Sequence, residues 1–335
     1  MTNKNLNWKT KPFLLRPAGK DYLWGGMRLR EDFGKDIDMT PLAETWECST
    51  HPDGPSIVAS GAYEGMSLKE VIEQNPQYLG THPRTKDELP ILIKFIDAKK
   101  DLSVQVHPDD EYALVHENGS LGKTEMWYVL DADKDAKIVY GFERDLDANT
   151  IRKSLEKGTI EKYLQRVEVQ KDDVFYIEAG TVHAIGAGSL IAEIQENSNL
   201  TYRLYDYDRV DKNGERRPLQ IDKALEVANF HASKEPKQPL RVLKYKRGCA
   251  SEFLCRCKYF QVERYLINSG KEQMKIPFRT EENSFQVLLC TEGAGKLTDE
   301  DGDVIAIQRG DCIFVPANSE ELHLMGKMQL LVVGC

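Results

Sequence analysis

Short apolar runs broken by turn-forming residues dominate the chain. PILIKFID (90–97), LSVQVH (102–107), EMWYVL (125–130), AKIVYGF (136–142), DVFYIE (173–178) and LIAEIQE (190–196) are rich in β-branched or aromatic residues. The same texture returns in KYFQVERYLI (258–267), FQVLLC (285–290), CIFVP (312–316) and MQLLVVG (328–334). Many short strands with Gly and Asp turns predict a mainly β sandwich or barrel. Helical patterns are few. SLKEVIEQN (67–75) opens on a capping-box pair, Ser67 and Glu70. The stretch 147–167 predicts two short helices broken at Gly158, and 218–229 a third.

A weak internal repeat divides the chain. KDDVFYIEAGTVHAI (171–185) resembles RGDCIFVPANSEELHL (309–324), with Asp173 opposite Asp311 and His183 opposite Glu321. Two related β-barrels are expected, the second having lost the polar residues of the first. The first takes residues 1–146 and 169–235, a small helical insertion takes 147–168, and the second barrel takes 236–335. The linker is expected at Lys234–Leu240, which carries two prolines.

Side-chain parity then locates candidate chemistry. On a strand through LSVQVHPDD, Ser103, Gln105 and His107 share one face while Leu102, Val104 and Val106 take the other. Glu125 and Lys123 share a face at the start of the next strand, and His183 follows the turn EAGT. Two histidines and a carboxylate from separate strands form a set suited to a first-row metal, zinc being its usual occupant. A Gln carbonyl adds a neutral oxygen. Each residue alone also fits a bland role: a satisfied core histidine, or a surface Glu.

A second set is charged. Lys94 interrupts an apolar run, where an unpartnered ammonium would be costly. Glu193 interrupts another, and Arg203 lies in LTYRLYDYD. A pocket holding one metal, Lys and Arg donors and a spare carboxylate suits a small anionic substrate and proton transfer. Taken one at a time, each of these also reads as a solvent-facing strand residue or a surface salt bridge.

Composition narrows the classes. A net charge of −9 over 335 residues argues against a broad nucleic-acid surface. The apolar runs are too short to span a bilayer, and the N-terminus has no apolar core of signal-peptide length. Seven scattered cysteines fit free thiols in a reducing compartment, and a cytoplasmic location is expected. GAGS (186–189) lacks the strand–turn–helix context of a dinucleotide loop.

QVHP, KTE, AGTVHA and EIQENSNLTYR occur here in the order seen in type I phosphomannose isomerases, as does the N-terminal YLWGG. The chain resembles that family closely over residues 12–210 and thinly beyond about 240. The resemblance implies two cupin jelly rolls and one Zn²⁺ per chain held by Gln105, His107, Glu125 and His183. It also implies Arg203, Glu193 and Lys123 as catalytic residues, and Lys94, Ser103, Lys123 and Arg203 around a small sugar phosphate. The implied reaction exchanges mannose 6-phosphate and fructose 6-phosphate. The competing expectations are another metal-dependent cupin enzyme, such as a dioxygenase, and a non-catalytic metal- or sugar-binding cupin. Oligomeric state is not legible in the chain.

Overall fold

The computed structural model describes residues 10–82, 88–210, 214–234, 236, 238, 240–269 and 274–335. Part of the linker expected at 234–240, and the N-terminal residues 1–9, lie outside the described residues. The fold is mainly β, as the sequence pattern requires, and its strands form three antiparallel sheets. A six-stranded sheet runs Val174–Ile177, Glu125–Ala132, Ser189–Glu196, Ile91–Asp97, Glu44–Cys48, Ala18–Lys20. A five-stranded sheet runs Tyr202–Tyr205, Val104–Val106, His183–Ala184, Lys137–Phe142, Leu164–Glu168. The third, ten-stranded, is built mainly from residues 244–334 and carries Phe13–Arg16 and Ile57–Val58 at one end. Among the described residues none of the sheets closes on itself through hydrogen bonds, so the layers are packed open sheets and not closed barrels.

The layering explains the apolar runs. Ile96, Trp127, Val129 and Ile191 of the six-stranded sheet pack with Ile138, Val167 and Ile185 against the five-stranded sheet. Its opposite face, with Ile91, Ile93, Phe95 and Ile194, packs on Leu289, Phe314, Leu331 and Val333 of the ten-stranded sheet. The six-stranded sheet is therefore a middle layer, covered on both faces. Strands Ile91–Asp97 and Ser189–Glu196 are buried at every position, which is why they lack clean alternation. Helices Ala148–Glu156 and Ile221–Val227 cover the far side of the five-stranded sheet through Ile151, Ala224 and Leu225.

One helix prediction is corrected. After Ala148–Glu156 the chain makes a single 3₁₀ turn, Ile160–Lys162, and then a strand, Leu164–Glu168. Leu164 and Val167 are buried in that strand while Arg166 and Glu168 face outward, and pairing with Lys137–Phe142 outweighs a weak helical pattern. The repeat has a physical counterpart. Asp173 accepts from the Gln170 N–H at 2.9 Å, and Asp311 from the Gln308 N–H at 2.8 Å. The residue before each, Asp172 or Gly310, has positive φ. Among the described residues no helix is long and apolar enough to cross a membrane.

Candidate active site

Register across the middle sheet assembles half of the site. Trp46, Lys94, Glu193 and Trp127 are direct cross-strand neighbours on four adjacent strands, and Glu125 pairs with Gln195 one step along. Their shared face looks at the five-stranded sheet. There, Gln105 is the cross-strand neighbour of both His183 and Arg203. Parity read from the sequence is thus realised: Val104 and Val106 point to the helices, and Gln105 points inward. Leu102 departs from it. It precedes the short strand Val104–Val106 and lines the same cavity as Gln105.

Three of the expected metal ligands meet. His107, Glu125 and His183 each offer an atom, all within 4.8 Å of one another. Glu125 lies 3.6 Å from His107 Nε2 and 3.3 Å from His183 Nε2. The Gln105 carboxamide is 3.4 Å from His183 Nε2, and rotating the amide would bring its oxygen to the same place. His183 Nδ1 lies 2.8 Å from the Thr181 carbonyl; with a proton on that nitrogen the contact is a hydrogen bond, and Nε2 is left as an acceptor. Both His107 ring nitrogens and both Glu125 oxygens are buried without a well-aligned hydrogen bond. Burial pulls His183 down to about 4 and His107 well below the usual imidazole value, so both rings are neutral at pH 7. Burial, then Glu193, pushes Glu125 up to about 7. Two neutral imidazoles and a carboxylate, all buried and converging within one ion's reach, fit a divalent metal.

Beside this cluster is a cavity of about 220 Å³. Lys94, Lys123, Glu193, Ser103, Gln105 and Arg203 all line it. Glu193 Oε1 is 3.3 Å from Lys94 Nζ and 3.7 Å from Lys123 Nζ, and its other oxygen accepts from Trp127 Nε1 at 3.0 Å. Burial alone would raise the Glu193 pKa, but Lys123 and then Lys94 outweigh it and hold the carboxyl at about 2. Lys123 also sits 2.8 Å from Glu125. Burial disfavours charge on Lys94, yet Glu44 and Glu193 raise it above its ordinary value. Neither Lys94 nor Glu193 is the solvent-facing strand residue that each could have been.

The sequence pattern did not single out several lining residues. Glu44 is buried, accepts from Trp46 Nε1 at 2.8 Å and lies 3.9 Å from Lys94. Tyr22 and Trp24, in YLWGG, form an aromatic pair at the cavity wall with ring centroids 5.6 Å apart. The turn after them needs glycine: a Cβ on Gly25 would lie 2.4 Å from the Ala43 Cβ. Arg217 and Asn199 complete the rim. A Glu within a β run and an Arg within a charged loop carry no periodic signature, so only the fold brings them here.

With this geometry in place, comparison with known proteins is decisive. Residues 13–136 match the model for the catalytic domain of type I phosphomannose isomerase, and residues 250–334 the cupin domain of mannose-6-phosphate isomerase. Mannose-6-phosphate isomerase ManA of Bacillus subtilis is 37% identical over 96% of this chain and 98% of its own length. The chain belongs to the type I phosphomannose isomerase family. The mannose-6-phosphate isomerase of Streptococcus mutans is 34% identical over 96% of this chain and 97% of its own. A crystal structure of the mannose 6-phosphate isomerase from B. subtilis superposes with a TM-score of 0.87 at 34% identity, covering 96% of this chain and 99% of that one. A putative mannosephosphate isomerase from Archaeoglobus fulgidus shares the fold, with a TM-score of 0.73 over 98% of this chain and 99% of that one at 21% identity. Family membership makes this chain a metal-centred isomerase and leaves its ligand set and mechanism to be argued from the site.

Proposed function

We propose that this chain interconverts mannose 6-phosphate and fructose 6-phosphate by proton transfer between C1 and C2, with one zinc ion bound. The observation that carries the reading is a buried His107–Glu125–His183 cluster. It adjoins a cavity where an ionised Glu193 stands between two lysines. Gln105, His107, Glu125 and His183 would hold the zinc. When bound, it would supply a Lewis acid that polarises a substrate oxygen.

The chain's own groups account for the proton. Glu193 is ionised at neutral pH and takes the proton from C2 of the open-chain aldose. The C2–H electron pair becomes the C1–C2 double bond of a cis-enediol(ate), and negative charge moves onto the C1 oxygen. Lys123 and Arg203 stabilise that charge, Arg203 as a permanent cation. Glu193 returns its proton to C1 as the C2 hydroxyl passes its own to the C1 oxygen, giving the ketose with a C1 hydroxyl and a C2 carbonyl. Lys94, Ser103, Lys123 and Arg203 hold the substrate along the cavity, which fixes the reacting carbons against Glu193. The seven cysteines are all free thiols, in keeping with a cytoplasmic enzyme.

The test is a coupled assay. Fructose 6-phosphate formed from mannose 6-phosphate is converted to glucose 6-phosphate and oxidised, and NADPH is read. Activity lost on chelation and restored by about one zinc per chain is expected. No turnover of mannose 6-phosphate by the zinc-loaded protein would overturn the reading.

A further inference from the structure

The cavity contains two kinds of cation, and they differ in what already neutralises them. Lys94 and Lys123 are each within 3.3 Å of a buried carboxylate, Glu193 or Glu125. At the rim the balance is reversed. Arg209 and Arg217 both bind the buried carboxylate of Asp206. Arg217 does so through Nε at 2.8 Å and Nη2 at 2.6 Å. Its Nη1 has no partner among the described residues. Arg203 lies beside it and reaches only neutral oxygens: Ser103 Oγ at 3.2 Å and the Pro218 carbonyl at 3.1 Å. Burial, and after it Arg217, pull Arg203 below its ordinary value.

Arg203 and Arg217 line the cavity, and Asp206, the carboxylate beside them, is shared with Arg209, which leaves an excess of positive charge at this end. Such an arrangement is stabilised when an anion enters. A phosphate dianion fits it, because guanidinium presents a planar fork to phosphate oxygens, while an ammonium is a point charge. We propose that Arg217, held in place by Asp206, reads the substrate's phosphate together with Ser103, and that Lys94, Lys123 and the neighbouring Arg203 serve the sugar end. Asp206 is a positioning residue: it fixes one edge of Arg217 and leaves the other to the ligand. The inference rests on the isomerase reading and gives each end of the substrate its own wall.

Inorganic phosphate is the probe, measured by calorimetry on zinc-loaded protein, with the coupled assay alongside. Arg217→Gln should weaken phosphate binding about ten- to hundredfold, the worth of one charged hydrogen-bonding group. It should raise KM for mannose 6-phosphate comparably and lower kcat much less. Asp206→Asn should produce a smaller loss in the same direction. Arg217→Lys keeps the charge without the fork and should recover only part of the affinity. It also supplies the readout if the Gln variant folds poorly. Lys94→Gln should lower turnover and leave phosphate affinity near wild type. Unchanged phosphate affinity in both Arg217 variants, or affinity lost only in Lys94→Gln, would overturn the assignment. Phosphate bound through Arg217 by a protein that does not turn over mannose 6-phosphate would uphold this site and sink the isomerase reading.

Discussion

Replacing Glu193 by Gln isolates the charge of one carboxylate from its shape. Glu193 Oε1 faces Lys94 at 3.3 Å and Lys123 at 3.7 Å, while the Trp127 indole donates to Oε2. The amide oxygen can keep the indole bond, so what is lost is the charge and the acceptor that faces the two lysines. Two effects follow, with different magnitudes. If Glu193 is the base, removing it should lower kcat by about 10²–10⁴, the usual worth of general-base catalysis. Stability falls as well. The Glu193 pKa is held at about 2 against an ordinary 4.5, which corresponds to about 3 kcal/mol favouring the fold when ionised. Because the folded-state pKa is depressed, that contribution is complete above 4.5 and is lost as pH falls from 4.5 toward 2. Metal-free wild type should therefore exceed E193Q in thermal stability at pH 5, where Glu125 with its raised pKa is largely protonated, and the two should converge as pH falls toward 2. Zinc per chain should be unchanged, since Glu193 is not among the converging ligand atoms. Exchange of the C2 hydrogen with solvent deuterium should fall in step with kcat. Turnover within threefold of wild type, or zinc lost in proportion to activity, would refute the role given to Glu193.

Three further perturbations separate the site from its supports. His183→Ala removes one of the three converging ligands, so zinc content and turnover should fall together by metal analysis, and turnover should return only at high added zinc. Lys35→Met strips the partner from Glu47, a fully buried carboxylate 2.6 Å from the Lys35 ammonium. It should cost about 3–5 kcal/mol in denaturant unfolding, with KM for mannose 6-phosphate unmoved. Gly25→Ala places a Cβ 2.4 Å from that of Ala43, and should cost about 1–3 kcal/mol while raising KM, because the displaced backbone carries Tyr22 and Trp24.

Much of the candidate site is legible in the chain because charge in an apolar strand is expensive. Lys94 in PILIKFID and Glu193 in LIAEIQE stand out for that reason, and Gln105 with His107 through parity. What the pattern cannot carry is partnership. Gln105 lies between His183 and Arg203, which are 78 and 98 residues away, and nothing local names either neighbour. Glu44 and Arg217 were missed because ETWEC mixes polar and apolar residues on a strand that is buried throughout, and ERRP reads as an exposed loop. Phe13–Arg16 pairs with Cys312–Val315, some 300 residues on, without any signal in its own sequence. Leu164–Glu168 has its apolar residues three apart, a helical spacing, and only its partner strand decides otherwise.

The middle layer explains why this register is so closely specified. Lys94, Glu193 and Glu125 lie on the face toward the five-stranded sheet, where each finds an opposite charge or a converging imidazole. The alternate positions, Ile93, Phe95, Ala192, Ile194 and Met126, lie against the leucine and phenylalanine core of the ten-stranded sheet. A one-residue slip of any of these strands would exchange the two sets. It would drive an ammonium or carboxylate into an apolar core and leave its former partner buried and unpaired, at several kcal/mol for each group. The charges that would run the chemistry are thus also what forbids the neighbouring registers, so a variant that neutralises Lys94 and Glu193 together should lose strand order as well as turnover.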